Sequence, residues 1–217
     1  RDRDDDDDAP AVSFVGFSAS ERYVAGDPRA NEHAGLIAMH VIFVREHNRL
    51  AELIITQNDS LNDEQIYQLA RKINNAQMQR ITYSEYLPSL GIELADYEGF
   101  DETIDPRISN EFATLAFRMG HSHITEQTLR LNDIFLEHWS GHRNLSDGFW
   151  NPTEMINTGG IGPTLRGAAW ATQAANDIYT VHDMRNSMFG EPGFGGMDMC
   201  AIDIQRGRDH GLPDYNS

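Results

Sequence analysis

His121 stands directly behind Gly120 and three residues after Arg118, in the stretch FRMGHSH at residues 117–123. An imidazole placed like this either satisfies its hydrogen bonds inside a core or presents a nitrogen lone pair to a metal. Arg118, one turn earlier on roughly the same helix face, could meet the carboxylates of whatever the imidazole binds. Gly120 removes a side chain beside the ring, which would let a flat cofactor approach the backbone. His123 is two residues on, so on a helix it points about 200° away and cannot face the same site.

Other groupings compete for attention. Arg29 and Glu32, in AGDPRANEH, are spaced three apart where a long helix begins. They read either as an ordinary first turn, with the acid favoured near the helix dipole, or as a site at a helix entrance. His40 and His47 are seven apart, about 10 Å along a helix axis, too far to share one ion. They are expected to be buried, hydrogen-bonding anchors of that helix. Asp203, Arg206, Arg208, Asp209 and His210 crowd eight residues of AIDIQRGRDHGLPDYN. That charge density asks for an ion-pair network or an anionic ligand.

Helices must position these groups. From Glu32 to about Gln57, Leu36, Ile37, Val41, Val44, Ala51, Ile54 and Ile55 recur at steps of three and four, the mark of one apolar helix face. Asn62 with Gln65 has capping-box spacing and opens a second helix, which should stop near Pro88 and Gly91. Asp105-Pro106 predicts a third start, with Ile108, Phe112, Leu115 and Met119 on its apolar side and His121 in its last turns. Asn151-Pro152 opens a short helix, and Asn176 to Phe189 reads as another, closed by Gly190. No alternating run supports a strand of more than a few residues, so the fold class is all-α with long loops and little β structure.

The 217 residues, 40% hydrophobic and 24% charged, suffice for a sizeable core. Thirty-four acidic against 17 basic residues give a net charge of −17, which disfavours nucleic acid and anionic membranes as partners. The one cysteine, Cys200, excludes an internal disulfide framework and a Cys-rich zinc site. No run approaches the roughly 20 apolar residues of a membrane span. The acidic opening RDRDDDDDAP reads as a solvated loop or tail over residues 1–20, with the folded domain at 21–217.

Three segments, YVAGDPRANEHAGLIAMHVIFVREHNRLA (23–51), DPRISNEFATLAFRMGHSHI (105–124) and IQRGRDHGLPDYN (204–216), together resemble the animal-type haem peroxidases. The helix ending ITYSEYLPSLG lies between the first two, as it does in that family. The resemblance runs in order from about residue 21 to the C-terminus. It implies a mainly helical haem peroxidase domain that reduces hydrogen peroxide and oxidises a small donor: a halide, thiocyanate or a phenol.

The resemblance also assigns roles. His121 matches the proximal ligand of the iron of haem b. Arg118 and Arg206 match positions near the haem propionates, and Arg29 matches the catalytic arginine of the reactive side. Glu32 matches an acid that in several members is esterified to the haem. His33 stands where some members have a methionine that forms a further link. Asp203 occupies the place of the residue that accepts the ligand's free N–H, commonly an asparagine. A carboxylate there would make the imidazole a stronger donor.

A Gln-x-x-Asp-His segment, carrying the family's distal histidine and the start of a calcium loop, is not found upstream of residue 21. The resemblance therefore implies a partial domain, completed by an N-terminal segment or a second chain, with calcium expected only in the full-length protein. The resemblance implies secretion. Two other readings stay open: a non-catalytic haem-fold interaction or adhesion domain, and a haem fatty-acid dioxygenase, which would need a radical-forming tyrosine such as Tyr83, Tyr86 or Tyr179.

Overall fold

The computed structural model describes residues 23–189, 197–214 and 216; the acidic segment at 1–20 and Gly190 lie outside them. The chain divides into two units, residues 40–106 and a second formed by the flanking stretches to residue 39 and from residue 107. Helix α1 (Ala34–Gln57) contributes its first residues to the second unit and the remainder to the first.

In the unit of residues 40–106, α1 pairs with α2 (Asp63–Ile81) through Leu50, Ile54 and Ala70, with Leu61, Ile66 and Ile73 packed around them. The start of α2 is fixed by the expected capping box. Gln65 N–H donates to the Asn62 side chain and Asn62 N–H donates to that of Gln65, both at 3.0 Å; such caps contribute about 1 kcal/mol. Glu46 accepts from Arg49 at 2.7 Å and from Gln77 at 2.8 Å. Those hydrogen bonds pull its carboxyl down to about 2. The helix widens into a π turn over Thr82–Tyr86 and closes with α3 (Leu87–Ser89). Gly91 (φ 76°) ends it: Gly91 N–H bonds the Pro88 carbonyl and Ile92 N–H that of Leu87. The expected stop is therefore met by a Schellman motif, which needs a left-handed residue.

His40 and His47 depart from expectation. His40 is exposed, and His47 meets Tyr67 edge-on, ring centroids 5.2 Å apart, rather than anchoring the helix by buried hydrogen bonds.

The other unit carries the remaining helices: α4 (Asn110–Thr114), α5 (Pro152–Asn157), α6 (Ile161–Trp170), α7 (His182–Asn186) and α8 (Met199–Asp209). Its core gathers Leu145, Phe149, Met184, Met188 and Met199. The short strands β1 (Gln127–Thr128) and β2 (Arg143–Asn144) pair antiparallel, Gln127 opposite Asn144. The mainly helical class is as expected.

Two helix boundaries differ from the sequence reading. The third helix begins at Ser109, whose hydroxyl accepts from Phe112 N–H at 3.1 Å, and not at Asp105. It lasts one turn before Leu115 breaks it (φ −125°, ψ −67°), and Ala116–His123 winds as a 3-10 helix. The helix expected over 176–189 shrinks to α7. Asp177 instead closes a side-chain turn onto Tyr179 N–H at 2.7 Å, a local bond that competes with helix formation. Helix α6 was not anticipated. It starts at Gly160 (φ 67°), a backbone state glycine reaches freely.

Candidate active site

Winding in 3-10 form places Arg118 and His121 directly above one another, because side chains three apart eclipse at three residues per turn. Helix α8 lies alongside, tied at its end to the start of α4 by a two-way contact. Asn110 Nδ2 donates to the His210 carbonyl at 3.2 Å, and His210 Nδ1 lies 3.0 Å from Asn110 Oδ1. The other end is capped by Asp198, which accepts from Cys200 N–H at 2.8 Å. Held at both ends, α8 turns Asp203 toward the 3-10 helix.

Asp203 then serves both residues. Its Oδ1 accepts from Arg118 Nη1 at 2.7 Å and its Oδ2 lies 2.5 Å from His121 Nδ1. All three side chains are about three-quarters buried, so these charge-assisted bonds are stronger than exposed pairs but still partly screened. An ionised carboxylate only accepts, so in the neutral ring the proton sits on Nδ1 and the lone pair on Nε2. Nε2 has no partner among the described residues, and a Cβ added at Gly120 would meet nothing within 4 Å. Arg118 Nε is also buried without a partner.

These features fit a haem group. Among the described residues no three His, Cys, Asp or Glu side chains could hold a metal together. A single oriented imidazole suits an iron that brings its other nitrogen ligands in a porphyrin ring. The unpartnered Arg118 Nε suits a carboxylate brought by the same group.

Glu32 and Arg29 approach from the 3-10 turn Pro28–Asn31. The turn is anchored by Asn31, 2% exposed, whose side chain donates to the Tyr23 carbonyl at 2.8 Å and accepts its N–H at 2.9 Å. The Glu32 carbonyl accepts from Trp150 N–H at 2.9 Å. Burial raises the Glu32 carboxyl above its ordinary value, while nearby His121 and then Arg29 oppose the rise electrostatically. Glu32 thus lies within electrostatic reach of His121.

Arg29 faces outward, its side chain 76% exposed, and clasps Asp27, with Nε 3.0 Å from Oδ1 and Nη2 2.6 Å from Oδ2. Arg206, one turn beyond Asp203, is exposed and joins Met197, Ile202 and Gln205 along an open groove. The structure therefore brings Arg118, His121 and Asp203 into contact, with Glu32 nearby. It leaves Arg29 and Arg206 outside that contact. Asn31 and Asp27 were missed by the sequence reading, although DPRAN carries the signal: an Asx residue at each end of a proline-led turn.

His33, next to Glu32, accepts Gly35 N–H at 3.0 Å on Nδ1, and burial lowers its imidazole to about 4. It is neutral at neutral pH. Tyr83, Tyr86 and Tyr179 are exposed.

The chain is 36% identical over 207 residues to peroxinectin A of Dictyostelium discoideum, covering 93% of this chain and 37% of that protein. It is 42% identical over 206 residues to the lactoperoxidase of Mesocricetus auratus, covering 90% and 29%. The solved structure of peroxidase A from Dictyostelium discoideum superposes with a TM-score of 0.86 at 35% identity, over 93% of this chain and 39% of that one. The chain thus spans well under half the length of these relatives. The animal haem peroxidase profile matches residues 3–217, and this chain belongs to the animal haem peroxidase family.

Proposed function

We propose that this chain supplies the proximal half of a haem peroxidase centre, in a protein that reduces hydrogen peroxide and oxidises a small donor such as a halide, thiocyanate or a phenol. The observation that carries this reading is the contact of Asp203 with both His121 and Arg118. Bound haem b would supply the redox chemistry, its iron accepting oxidising equivalents from peroxide and passing them on.

The chain's own residues set the conditions. His121 offers Nε2 to the iron, and Asp203 holds the imidazole proton at Nδ1, which strengthens the donor. Arg118 grips Asp203, and its free Nε would serve a haem propionate, with Arg206 on the next turn of α8 as the second propionate cation. Glu32 would supply the carboxyl group of an ester tether to the haem. Arg29, released from Asp27, would offer a fixed cation to charge developing on the departing peroxide oxygen, an effect of a few kcal/mol. On this reading a distal base and any calcium loop would be supplied by a further segment or a second chain. Extracellular action follows the resemblance.

Loading the chain with ferric haem tests the reading. The expected result is a histidine-ligated absorption and paramagnetic resonance spectrum that His121→Ala abolishes and His123→Ala preserves. Identical spectra for wild type and His121→Ala would overturn it. Peroxide-dependent oxidation of a phenolic dye by the longer protein, absent in His121→Ala, separates an enzyme from a non-catalytic haem domain.

A further inference from the structure

Residues 131–137 form a closed turn that presents apolar side chains to water. Leu131 and Glu137 pair as an isolated antiparallel bridge. Between them Asn132 holds the loop four ways. Its N–H donates to the Leu136 carbonyl at 2.8 Å and its carbonyl accepts from Phe135 N–H at 3.1 Å, while its Oδ1 accepts from Ile134 N–H at 3.0 Å and Leu136 N–H at 3.1 Å. The stem is fixed to α6: Leu131 N–H donates to the Pro163 carbonyl at 3.1 Å, and Arg166 Nε donates to the Leu131 carbonyl at 3.0 Å. Arg166 also pairs with Asp133 at 2.9 Å.

The apex is apolar. Ile134, Phe135 and Leu136 are 73, 49 and 61% exposed, and the Phe135 ring centroid lies 6.0 Å from that of Trp170, itself 67% exposed. Phe135 has φ 59°, a left-handed state that is strained for a bulky side chain and that Gly or Asn adopts readily. Turn chemistry alone would therefore not select phenylalanine here. Strain of this kind persists where the surroundings impose it and gathers at binding surfaces. Singly exposed apolar residues are ordinary, whereas a contiguous apolar patch marks an interaction site. On a backbone already fixed, such a patch loses little freedom when it docks.

Hydrogen bonding and charge narrow what it docks on. The apex amides of Ile134, Phe135 and Leu136 all donate within the turn, so the tip can leave water without stranding them, as entry into lipid requires. A peptide-binding protein surface would draw on such amides, and here they are spent. The flanking residues Asp133 and Glu137 are acidic, Arg166 is already paired with Asp133, and the chain carries a net charge of −17. Anionic headgroups would repel this surface; neutral, zwitterionic ones would not. Residue 134 stands two positions beyond Asn132, a reach of at most about 7 Å. That matches the roughly 5–10 Å to which interfacial segments enter a bilayer, and an indole such as that of Trp170 suits the headgroup level.

We propose that the turn at 131–137, with Trp170 beside it, docks this protein on the surface of an electrically neutral phospholipid bilayer, Ile134, Phe135 and Leu136 entering the acyl boundary. The surface is separate from the haem reading and does not rest on it.

Flotation of the full chain with phosphatidylcholine vesicles tests this, alongside vesicles in which half the lipid is phosphatidylserine. Saturable association with phosphatidylcholine is expected, and weaker association with the mixed vesicles at low salt. Leu136→Asp should weaken it about tenfold or more and Phe135→Asn about fivefold. Ile178→Asp, at another exposed apolar position, should leave it unchanged. Asparagine tolerates the left-handed state, so Phe135→Asn keeps the turn and is expected to fold; thermal melts check this. No association with phosphatidylcholine, association equal in wild type, Leu136→Asp and Phe135→Asn, an equal loss in Ile178→Asp, or preference for the anionic vesicles overturns the proposal. So does a dimer in sedimentation velocity that Leu136→Asp dissolves, because a second copy would then cover the tip. Failure of the longer protein to associate overturns it as well, because further polypeptide would then cover the tip.

Discussion

Asp203 Oδ2 and His121 Nδ1 lie 2.5 Å apart although 82 residues separate them in sequence. A carboxylate at this distance withdraws the Nδ1 proton partway and enriches Nε2, so an iron bound there favours its higher oxidation state. Asp203→Asn exchanges the charge for a neutral amide of the same shape. The Fe(III)/Fe(II) potential of the haem-loaded chain should rise by on the order of 60 mV, a tenfold change in the redox equilibrium for one electron. Spectroelectrochemistry reads this directly, and an unchanged or lowered potential would count against the contact as a tuning device.

Glu32 and His33 give opposite pH signatures. Burial raises the folded-state Glu32 carboxyl, so its contribution is full below the unfolded value near 4.5 and is lost as pH rises through the folded value. Glu32→Gln should therefore match wild type near pH 4 and exceed it at pH 7–8. The His33 imidazole is lowered to about 4. The stability of its neutral form is present above about 6.5 and is lost as pH falls toward 4. His33→Leu should remove an acid destabilisation on the order of 2 kcal/mol across that window. Urea midpoints measured from pH 4 to 8 separate the two variants.

Asn31 holds the turn that carries Arg29 and Glu32 by two hydrogen bonds to the Tyr23 backbone. Asn31→Ala removes both bonds from a nearly closed position. A loss of about 1–3 kcal/mol is expected in denaturant unfolding. Asp27→Ala, at an exposed pair, should cost far less.

Gly167 packs against the Leu129 carbonyl without room for a methyl group. Gly167→Ala should destabilise by about 1–3 kcal/mol or more, despite the better helix propensity of alanine. A melting temperature equal to wild type would show that α6 can shift at little cost.

Much of this arrangement was legible before any coordinates. Periodicity placed α1, and the Asn62–Gln65 spacing placed the start of α2 to the residue, because both signals are local. The proximity of Asp203 to His121 came only through resemblance, since no local rule links positions 82 apart. What failed was also physical. Asp105-Pro106 looked like a helix start, but Ser109 provides the cap; Asn176 to Phe189 looked helical, but Asp177 bonds its own backbone neighbour. Arg29 illustrates a subtler gap: the sequence shows the cation, while only the structure shows Asp27 clasping it.

The 3-10 winding of Ala116–His123 has a consequence for how far this region can change. Rewound as an α-helix at about 100° per residue, Arg118 and His121 would splay by roughly 60°. One carboxylate would then have to span a wider gap to reach both. Backbone pitch, as much as residue identity, thus links the arginine to the imidazole. Deleting one residue between Leu115 and Arg118 would move the pair together and spare their mutual alignment, whereas deleting Met119 would rotate His121 a third of a turn away from Arg118. The tolerance of this stretch to length changes should alternate on that three-residue beat.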